Sequence, residues 1–234
     1  MFDFRSFSKK CLDNYIEAEI AANRSTEKLN ILKNIQLQNY FCVYTSHKKC
    51  RDNFVGCINT RESQLFIQKE FRFNNRRKLL KRTNTKLEKI VVLMESPHRD
   101  EFGVNLTAPA LGETGERLNT YLPKILLANG LLSSKNTEIY LVNTIPYQCS
   151  LGFETKFCRD IIFEALWKNK RTKKSLFRRL ERISPTVILV AMTAIKNGKY
   201  KSEIINLLKD KEYSVWSSDT HPSQWNKNTK ITHQ

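Results

Sequence analysis

The chain has 234 residues, enough for one sizeable domain or one domain carrying an added subdomain. Its 40 Lys and Arg against 23 Asp and Glu leave a formal charge of +17, which repels itself unless a polyanion or an anionic surface is the partner. No apolar run approaches the ~18 residues of a transmembrane helix, and Met1-Phe2-Asp3-Phe4-Arg5 lacks the charged start and apolar core of a signal peptide, so nucleic acid is favoured over membrane and a cytoplasmic location is expected.

Residues 1–88 read as a mainly helical N-terminal extension. Tyr15, Ala18, Ile20 and Ala21 suggest one amphipathic helix, and Leu29, Ile31, Leu32, Ile35 and Leu37 a second. A stretch mixing Cys, aromatic and Lys residues follows to about Phe73 without a readable period. Cys42, Cys50 and Cys57 are spaced irregularly around His47, and no cysteine pair has the C-x-x-C spacing. A metal site there competes with the plainer reading of partly buried thiols in a reducing cytosol, and no metal or other cofactor is expected. Arg72, Arg76, Arg77, Lys78, Lys81, Arg82 and Lys86 then form a basic run. It is either a solvated linker or a phosphate-contacting surface, with Arg76, Arg77 and Lys78 as the DNA contacts.

From Ile90 the pattern alternates. Strand-like runs at Ile90–Met94, Glu138–Val142, Thr186–Val190 and Tyr213–Trp216 predict a four-stranded parallel sheet with right-handed crossovers. Between them, Gly115–Asn129 is apolar at helical spacing, with Pro123 expected to kink or divide it. Phe157–Trp167, Ser175–Ile183 and Ser202–Leu208 are the other helical stretches. Lys168, Lys170, Arg171, Lys173, Lys174, Arg178, Arg179 and Arg182 make a second basic run, a solvated helix face or a second set of phosphate contacts.

Ligands bind at the carboxyl ends of strands in such sheets. Glu95, Ser96, Pro97 and His98 follow the first strand, Asn143 ends the second, and His221, Pro222 and Ser223 come after the fourth. A carboxylate, a carboxamide and an imidazole would then converge on one edge. Each has a duller explanation in isolation: a turn, a cap, a structural histidine. Together they make a candidate site.

This set of residues resembles the uracil-DNA glycosylase superfamily over roughly Lys89 to Gln224. Met94-Glu95-Ser96-Pro97-His98 stands where one branch reads G-E-A/G-P-G, with Arg99-Asp100-Glu101 in place of its acidic stretch. Pro109-Ala110-Leu111-Gly112-Glu113-Thr114-Gly115 stands for P-F-V-G-x-x-G, and His221-Pro222-Ser223 for H-P-S. The resemblance implies a three-layer α/β/α catalytic domain over residues 89–234 and a monomer that flips a base out of DNA and hydrolyses its N-glycosidic bond. Glu95 or Glu101 would stabilise the sugar cation and orient water, and His221 would stabilise the leaving base. Ser96, His98, Ala110 and Asn143 would face the base, while Ser223, Gln224 and Trp225 would contact DNA. Trp225 is either the wedge that fills the emptied gap or a packing residue.

The chain departs from that pattern. Ser96 replaces a catalytic aspartate, His98 a tyrosine that crowds C5 of the pyrimidine, and Ala110 a phenylalanine that stacks on uracil. The iron–sulfur cysteines of the branch have no counterparts. The last two changes imply a roomier pocket, suited to a cytosine with a bulky polar C5 group of the kind found in phage DNA, and hence a role in defence. The alternatives are a divergent repair enzyme for uracil or another deaminated base, with Phe71 or Phe73 supplying the missing ring, and a non-catalytic DNA-binding module.

Overall fold

In the computed structural model the residues described are Glu17, Cys50, 52–61, 64–67, 87–97, Glu101, Ala110, 112–132, 136–147, Cys149, 155–192, Ile195 and 198–234. The strands are β1 (Asn53–Arg61), β2 (Gln64–Ile67), β3 (Glu88–Met94), β4 (Thr137–Asn143), β5 (Val187–Val190), β6 (Ser214–Ser218) and β7 (Ile231–His233). The longer helices are α1 (Glu113–Ala128), α2 (Thr155–Lys168), α3 (Lys170–Ile183) and α4 (Lys199–Lys209), and Pro222–Gln224 form a 3₁₀ turn.

The fold is α/β, but the expected four-stranded parallel sheet is the centre of something larger. Seven strands lie in the order β2-β1-β4-β3-β5-β6-β7. The four apolar runs supply β4, β3, β5 and β6, which pair in parallel. β1 and β2 on one side and β7 on the other pair antiparallel. The apolar runs mark the central strands because those are covered on both faces. The flanking strands mix polar and apolar residues, and β1, on which β2 folds back, depends on a partner far away in sequence.

The expectation of a mainly helical extension over residues 1–88 is corrected in its described part. β1 and β2 are strands of the one sheet, and β1 pairs with β4 across the 88/89 division. The two helices expected before residue 38, the basic run at 72–86, Cys42 and His47 lie outside the described residues.

Side chains of β3 alternate between two cores. Val91 and Leu93 pack with buried residues of α2, α3 and α4, among them Phe163, Trp167, Leu176, Leu180 and Ile204. Ile90, Val92 and Met94 pack on the opposite face with Leu118, Leu122, Leu126 and Trp225. Each such aliphatic side chain, fully buried, contributes ~1.5–3 kcal/mol. Pro123 does not divide α1: the helix is continuous and Pro123 is buried in it beside Leu122. Packing of that face offsets the missing backbone hydrogen bond. α2 and α3 are separated only by Asn169, whose side chain accepts from the Arg171 N–H at 2.9 Å and starts α3 five residues before its expected onset. α3 ends on Ser184 in the left-handed region, and the buried Lys89 ammonium donates to the Ile183 carbonyl at 3.0 Å, a cation placed at the negative end of the helix. Among the described residues, no helix is long and apolar enough to cross a membrane.

Candidate active site

Register decides which residues share an edge. Met94 is level with Asn143, Leu93 with Val190, and Val190 with Ser217. All four strands run the same way, so Glu95, Asn143 and the turn carrying His221 leave the sheet on its carboxyl edge. Backbone pairing continues past the strand ends: Thr144 N–H donates to Met94 O at 2.8 Å and Ile145 N–H to Glu95 O at 3.0 Å. The main chain at Glu95 is therefore anchored, and its side chain projects from a fixed point.

Glu95 is 5% exposed. Burial strips water from its carboxylate and pushes its pKa up to about 7; Arg159 opposes that rise and Asp160 adds to it. Arg159 Nε stands 3.4 Å from Glu95 Oε1 and 3.0 Å from Asp160 Oδ1.

His221 opens the 3₁₀ turn. Its Nδ1 accepts from the Ser223 N–H at 3.2 Å and lies 2.8 Å from Ser223 Oγ. A ring nitrogen that accepts from a backbone N–H carries no proton, so the neutral imidazole bears its hydrogen on Nε2. Burial, and after it the charge of Arg159, push the His221 pKa down to about 4. Near neutral pH the ring is uncharged and offers an Nε2–H donor. Glu95 and His221 thus lie within the field of one guanidinium.

Asn143 is buried, and its side chain hydrogen-bonds the Cys50 thiol. Its carbonyl and that of Thr144 accept from Arg179 Nη2 at 2.8 and 3.1 Å. Arg179 in turn pairs with the buried Asp52 at 2.5 Å. Cys50 N–H donates to Pro146 O at 2.7 Å, so residues just before β1 brace the end of β4. Arg179, expected among the phosphate contacts, is committed to this inward ion pair instead. Lys173 is likewise engaged, 2.8 Å from Glu203 and over the Trp167 ring.

Glu101 Oε1 accepts the Ala110 N–H at 2.8 Å. Its charge also acts on Cys50, which sets it near the end of β4. Ala110 has a left-handed backbone, φ 56°, and is 1% exposed within the core that contains Leu118 and Trp225. Its methyl is covered by protein. Ser96 is half-buried and hydrogen-bonds the Cys149 thiol. Burial first, then a neighbouring carboxylate, hold Cys50 and Cys149 above the ordinary thiol range, so neither is a nucleophile near neutral pH.

Of the expected DNA contacts, Gln224 is exposed and Ser223 is spent on His221. Trp225 is 0% exposed; its indole N–H donates to Ser218 Oγ at 3.0 Å and Thr220 O at 3.1 Å, and its carbonyl accepts from Arg117 at 3.2 Å. Of the two readings of Trp225, its burial and hydrogen bonds favour the packing residue, which holds the His221 turn against α1. His98, Arg76, Arg77 and Lys78 lie outside the described residues. Arg159 was not singled out from the sequence. The available signal was a charge on the apolar stripe of α2, four, seven and eight residues before Phe163, Leu166 and Trp167.

No protein-family model matches the chain, and no curated protein is similar to it.

Proposed function

We propose that the chain is a DNA glycosylase on a uracil-DNA glycosylase-like α/β/α fold, hydrolysing the bond between a flipped-out base and its deoxyribose. The observation that carries this reading is a buried carboxylate and a neutral imidazole on one sheet edge under one guanidinium. As the C1′–N bond lengthens, the sugar gains positive charge and the base negative charge. Glu95, ionised, stabilises the first and orients the water that adds to C1′. His221 donates Nε2–H to a carbonyl oxygen of the departing base, where no positive imidazole is needed. Asn143 keeps hydrogen-bonding capacity beyond its bond to Cys50 and reads the edge of the base. Glu101, bonded to the Ala110 N–H, holds the segment opposite and leaves the water to Glu95.

The flipped base costs a few kcal/mol of stacking, which phosphate contacts offset. Lys170, Lys174, Arg178 and Arg182 are exposed at four-residue spacing on α3, with Arg171 beside them. That spacing sets the cations about 6 Å apart in a line. Together with the +17 charge it supports DNA as the partner, bound by a monomer.

For the base, the reading is a cytosine with a bulky polar group at C5, released from phage DNA as a defence, on the strength of His98 and Ala110 at positions where relatives in the resembling superfamily carry rings. Burial of Ala110 favours the second reading, repair of uracil or another deaminated base, because that position adds no open space of its own. The test is mass spectrometry of bases released from duplexes carrying uracil, hypoxanthine, 5-hydroxymethylcytosine or glucosylated 5-hydroxymethylcytosine, with Glu95→Gln and His221→Ala as controls. Release of the C5-bulky cytosines alone supports defence. Release of uracil or hypoxanthine alone supports repair. Tight binding with no abasic sites on any duplex overturns the enzyme reading in favour of a DNA-binding module.

A further inference from the structure

We infer that Arg159 is the positioning residue of this site: its guanidinium, held by Asp160, stands against the Glu95 carboxylate and orients it, with its field reaching the turn that carries His221. The role in catalysis rests on the glycosylase reading above; the electrostatic coupling does not.

Three observations support it. First, Arg159 lies on a rigid support. It sits in α2 one turn before Phe163, and Phe163 and Trp167 are buried at 0% and 1% exposure with ring centroids 6.3 Å apart. Second, its Nε donates at 3.0 Å to Asp160 and stands 3.4 Å from Glu95, so the carboxylate that would touch substrate is held from one side by a side chain only 21% exposed. Third, the same charge acts on both proposed catalytic groups. It lowers the pKa of Glu95, favouring the anion, and that of His221, favouring the neutral ring. The two demands of the chemistry, an ionised acid and an un-ionised base, would conflict for an isolated Glu–His pair, because each charged form stabilises the other. A neighbouring cation favours both required forms at once.

Among the described residues, Arg159 and Asp160 from α2 and Cys149 from the segment after β4 face Glu95. Among the same residues, Arg159 is the charge that acts on His221, whose own turn contributes Ser223 as hydrogen-bond partner. Removing Arg159 therefore moves both groups upward. Removing Asp160 moves Glu95 downward.

The experiment uses the full chain in four forms: unaltered, Arg159→Gln, Arg159→Lys and Asp160→Asn. NMR titration of ¹⁵N-labelled histidine, with the His221 signal identified by its loss in His221→Gln, reads the ring directly. The His221 midpoint is expected to rise above about 4 in Arg159→Gln, recovering only part of the depression because burial is its larger cause, and to stay near 4 in Arg159→Lys. The pH profile of base release, on whichever duplex is cleaved, reads Glu95. Its acid limb, near 7, should move up in Arg159→Gln, return in Arg159→Lys and move down in Asp160→Asn. A His221 midpoint unmoved by Arg159→Gln overturns the inference. So does a loss of activity equal at every pH that lysine does not rescue, the mark of a merely structural role. If no base is released from any duplex the glycosylase reading fails, and the His221 titration still decides the coupling. Should Arg159→Gln not fold, Arg159→Met, which removes the charge and keeps most of the side-chain volume, carries the same test on the His221 midpoint.

Discussion

Glu95 and His221 give the fold two opposed pH dependences, and replacing one should expose the other. Glu95 rises from 4.5 to about 7 on folding. Its contribution is fully present below 4.5 and is lost as pH rises through 7. At about 1.4 kcal/mol for each pH unit, that loss is about 3 kcal/mol. His221 falls from 6.5 to about 4. Its contribution is present above 6.5 and is lost as pH falls through 4, by about 2–3 kcal/mol after allowing for the partial exposure of the ring. Between pH 4.5 and 7 the two slopes nearly cancel in the unaltered chain. Glu95→Gln removes the falling limb and leaves the rising one. The assay is guanidinium unfolding followed by tryptophan fluorescence at half-unit steps from pH 4.5 to 8, taking the difference between variant and parent so that other titrations cancel. The difference should swing by about 3 kcal/mol in favour of Glu95→Gln across that range, giving a variant that is more stable at pH 8 and inactive. A difference constant with pH would refute the buried-carboxylate reasoning.

Trp225→Ala should cost ~3–5 kcal/mol of stability by opening a cavity beside α1, seen as a lowered melting temperature; unchanged stability with loss of duplex turnover alone would restore the wedge role. Replacing Lys170, Lys174, Arg178 and Arg182 by Gln should flatten the dependence of log affinity on log salt by ~0.9 for each duplex phosphate that is no longer neutralised. An unchanged slope in filter-binding or anisotropy titrations would put the phosphate-binding surface elsewhere. Ser184→Gly should stabilise the chain by ~1 kcal/mol, because the exposed Ser184 ends α3 at φ 55°, a conformation costly for any side chain. An unchanged or lower unfolding midpoint would count against that strain.

The central sheet was determined by the sequence alone. Ile90–Met94 and Glu138–Val142 fall inside β3 and β4, and the later runs overlap β5 and β6, because a strand covered on both faces must be apolar throughout. The order of polar residues after those runs likewise placed Glu95, Asn143 and His221 on one edge, since parallel strands share their carboxyl ends. The tertiary structure decided what depends on distant partners. β1 and β7 are strands because β4 and β6 offer them hydrogen bonds, and β2 because it folds back on β1, not because their own pattern demands it. Arg179 carries the same charge as its neighbours on α3, and only the packing of α3 turned it inward onto Asp52 and the end of β4. Trp225 and Gln224 are adjacent in the chain, yet one is core and the other solvent-facing, a choice made by where α1 lies. Arg159 belongs with these. Burial and charge are properties of everything within a few ångströms, and the guanidinium that favours the Glu95 anion and the neutral His221 ring comes from α2, at a position more than 60 residues from either in the chain.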